Sequence, residues 1–155
     1  MNDDEYDLWI QKAIGFCAQK FKKSKTEIVR MLREDNCHVH STLRYAIAKE
    51  ISAYLKDHVD GIKGVYLYGS TATNEARSCS DIDMLVHIDT DQKKVEEVTE
   101  KLERGVLRAY LKVLQDDIPL ILPLLDFHII DTESIKKREG YAALVTSLSS
   151  PPLKI

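Results

Sequence analysis

The chain has 155 residues, 44% hydrophobic and 30% charged, with a formal net charge of -3. That length suits one compact domain with a real core, because a chain of this size buries about two-thirds of its unfolded surface. The slight acidity excludes an overall basic field of the kind that tracks a long nucleic-acid backbone, so a processive polymerase is not expected.

Residues 1–60 read as helices. Ile10, Ala13, Ile14, Cys17 and Phe21 recur at spacings of three and four, with Trp9 beside them, which puts them on one helical face. Ser24-Lys25-Thr26-Glu27 has the form of a capping box and predicts a second helix with Ile28, Met31 and Leu32 inward. A third helix is expected after a polar turn from Asn36 to Ser41, with Leu43, Ile47, Ile51 and Tyr54 buried and an end near Asp60-Gly61. The pattern then becomes β. Val65-Tyr66-Leu67-Tyr68, bounded by Gly64 and Gly69, reads as a buried strand, and Asp81 to Ile88 as a second. From Asp91 to about Leu114 a helical stripe returns through Val95, Val98, Leu102, Val106, Tyr110 and Val113. Glu97 with Lys101 and Glu100 with Arg104 are placed to pair on its wet side. After a link punctuated by Pro119 and Pro123, residues 124–130 read as a third strand. A last helix is expected from Thr132 to Leu148, ahead of a Pro151-Pro152 tail. The expected fold is α/β (α+β): a helical extension over residues 1–60, then a domain over 61–155 with a small mixed sheet and flanking helices.

The N-terminal Met1-Asn2-Asp3-Asp4-Glu5 has neither the basic region nor the apolar run of a secretory signal. The most apolar run, 118–130, falls short of the roughly 20 residues that span a bilayer and is broken by Pro119, Pro123, Asp126 and His128. Cys17, Cys37 and Cys79 are odd in number and widely spaced, which suits a reducing compartment. A cytoplasmic protein without membrane contact is the expectation.

The chemistry concentrates in Leu67-Tyr68-Gly69-Ser70 and, ten residues on, Asp81-Ile82-Asp83-Met84-Leu85-Val86. Carboxylates at i and i+2 of a strand share one face, leaving Ile82, Met84 and Val86 for the core. Two like charges so close resist joint ionisation unless a cation neutralises them, and carboxylates suit magnesium or manganese. Gly69 lets backbone approach a ligand closely, the turn after it offers N–H groups to phosphate oxygens, and the Ser70 hydroxyl adds another donor. Asp126, an acid inside an apolar strand, is costly to bury alone and is explained if it joins the metal site; Asp131 is the alternative.

At these residues the chain resembles the nucleotidyltransferase superfamily of polymerase beta-like fold, most of all the minimal nucleotidyltransferase proteins. That superfamily is marked by a strand ending in Gly-Ser, a spacer, Asp-h-Asp-h and a later acid on another strand. The resemblance covers residues 65 to about 145. It implies metal-dependent transfer of a nucleoside monophosphate, with attack of an acceptor hydroxyl on the α-phosphate and loss of pyrophosphate. By that likeness Asp81, Asp83 and Asp126 hold Mg2+ or Mn2+ and carry catalysis, while Gly69, Ser70 and Thr71 grip the nucleoside triphosphate, ATP being the expected donor. Many relatives follow Gly-Ser with Arg-Ala-Arg-Gly, where this chain has Thr71-Ala72-Thr73-Asn74; Arg77, in the same turn, is the expected substitute for the basic contact.

The expected acceptor is a protein or small molecule; no large C-terminal helical domain follows residue 145 to build an acceptor pocket, although a homodimer could still form one. One rival reading is an antitoxin-like partner of a small helical toxin. Another is a nucleotide-sensing nucleic-acid module using the basic patch Lys20, Lys22, Lys23, Lys25, Arg30 and Arg33. Cys37-His38-Val39-His40 reads as an interhelix turn, since no second cluster completes a zinc site. His128 shares a strand face with Asp126 and is placed either to touch substrate or to serve structure.

Overall fold

The computed structural model describes residues 1–114 and 123–155. The predicted link through Pro119 lies outside the described residues.

Three helices come first: α1 (Asp3–Phe21), α2 (Lys25–Arg33) and α3 (Cys37–His58). The α1 stripe is buried as its spacing predicts, with Trp9, Ile10, Ala13, Ile14 and Cys17 inside and Phe21 at the margin. The capping box at α2 is formed: the Glu27 N–H donates to Ser24 Oγ at 3.1 Å, and the Ser24 N–H to Glu27 Oε2 at 2.8 Å. Asn2 and Glu5 make the same pair at α1. The third helix starts earlier than expected, so Cys37-His38-Val39-His40 is its first turn and not a loop. Asn36 is the cause: its side-chain oxygen accepts the Val39 N–H at 3.1 Å and satisfies one of the free donors of a helix start.

The sheet has the order β3-β2-β1-β4, built from β1 (Ile62–Tyr68), β2 (Ile82–Ile88), β3 (Leu125–Asp131) and β4 (Leu153–Lys154). It is mixed: β1 runs antiparallel to β2 and β4, and β2 runs parallel to β3. A short helix, α4 (Gly69–Ala72), follows β1, and α5 (Gln92–Leu114) connects β2 towards β3. Ile82, Met84 and Val86 are fully buried, so the alternation read along β2 holds. One face of the sheet shares a continuous apolar cluster with α1, α3 and α5, running from Tyr6 to Ile155. Leu85, Ile130 and Ala142 make a smaller cluster of their own.

Three further local expectations fail. The predicted last helix is two pieces, α6 (Thr132–Lys137) and a 3-10 helix (Gly140–Thr146), broken where Arg138 and Gly140 both take positive φ. Beyond Pro151-Pro152 the chain is not a free tail but the short strand β4, with the Ile155 N–H donating to Val65 O at 3.0 Å. On α5 neither Glu97–Lys101 nor Glu100–Arg104 forms an ion pair among the described residues. Arg108 and Lys112 of α5 reach across instead to Asp3 and Asp7 of α1. No helix among the described residues is long and apolar enough to cross a membrane.

Candidate active site

Strand register builds the acidic cluster. Parallel pairing sets Asp83 of β2 opposite Asp126 of β3, and antiparallel pairing sets Asp83 opposite Tyr68, the last residue of β1. Asp81 stands just before β2, two residues from Asp83 and so on the same face. One carboxylate oxygen from each of Asp81, Asp83 and Asp126 lies within 4.8 Å of the others, and each residue is half-buried. Asp131, the alternative to Asp126, is instead the cap of α6, accepting the Ser134 N–H at 2.7 Å.

Asp83 stands between two other acids. Burial pushes the Asp83 carboxyl up to about 6, and the charges of Asp81 and Asp126 push the same way against a smaller opposing effect of His128. The Tyr68 phenol is raised by burial and then by Asp83. Oxygen donors at this spacing, charged and short of cationic partners, are the donor set that hard divalent cations take. The fit extends to the backbone. Gly69 has φ 69°, and a Cβ there would overlap the Asp83 carboxylate, so the residue after β1 must be glycine for Asp83 to hold its place.

The other predicted residues are placed unequally. Gly69 and Ser70 open α4 beside the acids. The Thr71 side chain turns into a different cleft, of about 260 Å³, with Lys20, Thr42 and Tyr45; it is buried, and its hydroxyl has no partner among the described residues. Arg77 lies against the α2–α3 turn, donating to Asp35 O at 3.1 Å and standing 3.7 Å from the Asp35 carboxylate. His128 follows Asp126 on its face, with Nε2 at 3.0 Å from Asp126 Oδ2.

Sequence reasoning missed two aromatic rings at the site. Tyr141 stacks on His128 at 3.5 Å between centroids and 18° between planes, and Tyr68 lies 6.4 Å from the same imidazole. Tyr68 had a signal, since it sits beside Gly69; Tyr141 had none, because the helical pattern from Thr132 onward hides the break at Gly140 that brings it to His128. Tyr141 and His128 border a cleft of about 470 Å³ along β3, lined also by Asp126, Thr99, Glu100 and Glu103. Burial, and then the Asp126 charge, raise the Glu103 carboxyl. Also missed was a buried arginine on α3, Arg44, which hydrogen-bonds the loop ahead of Asp81.

The family model described as Polymerase beta, Nucleotidyltransferase matches residues 49–138, more than half of the chain and the span that holds Gly69, Ser70, Asp81, Asp83 and Asp126. Neither a curated protein nor a solved structure matches it. The chain therefore belongs to the polymerase beta nucleotidyltransferase family, and a nucleotidyltransferase-type function is what that membership supports.

Proposed function

We propose that the protein transfers a nucleoside monophosphate from a nucleoside triphosphate, with ATP the expected donor, to a hydroxyl of a protein or small-molecule acceptor, releasing pyrophosphate. The observation that carries this reading is the convergence of Asp81, Asp83 and Asp126 within 4.8 Å. Such a set would hold Mg2+ or Mn2+, which supply charge neutralisation for the attacking and leaving oxygens of an in-line displacement.

The chain's own residues then have separate tasks. The glycine backbone at position 69 lets the triphosphate approach Asp83 closely, and Ser70 donates to phosphate oxygen. The Asp126 carboxylate takes the proton of the acceptor hydroxyl, with His128, 3.0 Å away, fixing its orientation. The cleft beside Asp126 admits the acceptor on the side away from Gly69, and its tyrosine and histidine rings offer a flat surface for a planar or sugar-like group.

Calorimetry of ATP, GTP, CTP and UTP with Mg2+ or Mn2+ tests it, comparing the wild type with the Asp81→Asn, Asp83→Asn double variant. Metal-dependent binding that falls by well over the roughly 10–100-fold typical of losing an outer partner is the expected result. A wild type that binds none of the four sinks the reading.

A further inference from the structure

Arg44 has no solvent exposure, and its guanidinium has no carboxylate partner among the described residues. Its Nη1 meets His40 Nδ1 at 2.6 Å, its Nη2 donates to Ser78 O at 3.2 Å and Ser80 O at 3.1 Å, and the Tyr110 ring lies 5.4 Å from its centre. Nε has no partner among the described residues. An always-charged group buried on neutral acceptors costs several kcal/mol, and apolar side chains of similar size often stabilise a fold as well or better. Stability alone therefore gives no reason for an arginine here. What its guanidinium does, and an apolar side chain does not, is hold two carbonyls of one loop at once through Nη2 while Nη1 is anchored on His40.

That loop leads directly into Asp81. The Ser80 carbonyl belongs to the planar peptide unit whose nitrogen is that of Asp81, so fixing that oxygen fixes the plane from which the Asp81 side chain departs. A second hold acts on the same loop: Asp35 Oδ1 accepts the Ser78 N–H at 2.7 Å. Both grips act on Ser78, one on its N–H and one on its carbonyl. His40 completes the arrangement. Its Nε2 donates to Leu32 O at 2.8 Å, which leaves Nδ1 as the acceptor for Arg44.

We propose that Arg44 and Asp35 are positioning residues for Asp81, holding the 78–80 loop so that its carboxylate meets Asp83 and Asp126 in a single geometry. The inference rests on the metal–nucleotide reading above and extends the site to helix α3, outside the two motifs. Neither residue touches the reacting groups.

Mn2+ titrated in the presence of ATP, with free Mn2+ followed by electron paramagnetic resonance, tests the clamp alongside thermal melting. Asp35 has φ 57°, so glycine rather than alanine removes its side chain without straining the backbone, and asparagine keeps both the conformation and an acceptor for Ser78. Asp35→Gly and Arg44→Met are expected to weaken Mn2+ binding by about 10–100-fold, the range for losing a group that orients a metal ligand. Asp35→Asn is expected to restore wild-type affinity. If Arg44→Met does not fold, the Asp35 pair decides alone. Wild-type Mn2+ affinity in Asp35→Gly overturns the clamp, as does an equal loss in Asp35→Asn. A wild type that takes no Mn2+ with ATP sinks the functional reading itself, and the clamp with it.

Discussion

Asp81 and Asp83 are two residues apart and share one face, yet they are held by different parts of the molecule. Asp83 lies within β2 and is fixed by pairing on both sides, to Tyr68 of β1 and Asp126 of β3. Asp81 precedes the strand, and the loop leading to it is held by side chains of the α2–α3 turn and α3: Asp35 and Arg44 on Ser78 and Ser80, and Ser41, whose Oγ accepts the Ala76 N–H at 2.9 Å. A sheet places an acid through backbone bonds that almost any sequence supplies. A loop needs specific side chains, so its acid is the one that distant residues can tune.

The largest effect should come from disturbing the sheet-held acid. Gly69→Ala puts a side chain against the Asp83 carboxylate in a left-handed conformation. Strain and overpacking together are expected to cost about 2–5 kcal/mol, read as a fall in denaturant midpoint, with loss of Mn2+–ATP binding. Retained affinity would mean that Asp83 is not fixed by its contact with β1.

The next effect acts on the other hold. Burial first, and then the Arg44 charge, lower His40 from 6.5 to about 4, against weaker opposing effects of Leu32 O and Asp35. With the folded value depressed, protons favour the unfolded chain, so the contribution is complete above pH 6.5 and lost as the pH falls from 6.5 to 4. It is worth about 3 kcal/mol. Urea unfolding across that range should show the loss, and His40→Gln should flatten it; an unchanged slope in the variant would remove His40 from the account.

The smallest effect is a control. Ser24→Ala removes the α2 cap, far from the 78–80 loop, and should cost about 1 kcal/mol, or roughly 2–4 °C in melting temperature, with Mn2+ affinity unchanged. A parallel fall in affinity would show that stability alone sets metal binding and that the difference between the two acids is empty.

The acids themselves are legible in the sequence because period-two alternation makes Asp81-x-Asp83 and Asp126 visible within short windows, with the glycine that accommodates Asp83 at the end of a β-branched and aromatic run. The hold on the loop before Asp81 is not, because Arg44 meets residues 34 and 36 positions further along, and no local pattern records such a meeting. One trace existed. Continuing the Ile51, Ile47 stripe backwards at spacings of three and four reaches Arg44 and then His40, beside the buried Leu43 and Val39, so the inward side of α3 carries two polar residues that had to find partners inside. The strand β4 was illegible for a different reason: it is two residues long and comes after two prolines, so only its pairing with β1 defines it.

The clamp also fixes an order of assembly. Tyr68 and Asp83 close a short loop when β1 and β2 pair, whereas Arg44 reaches Ser78 and Ser80 only after α3 has docked against that pair. Loop closure has to precede the contacts that repay it. The strand acid is therefore expected to find its place first and the loop acid later, so the cluster of three acids is complete only once the amino-terminal helices have folded onto the sheet.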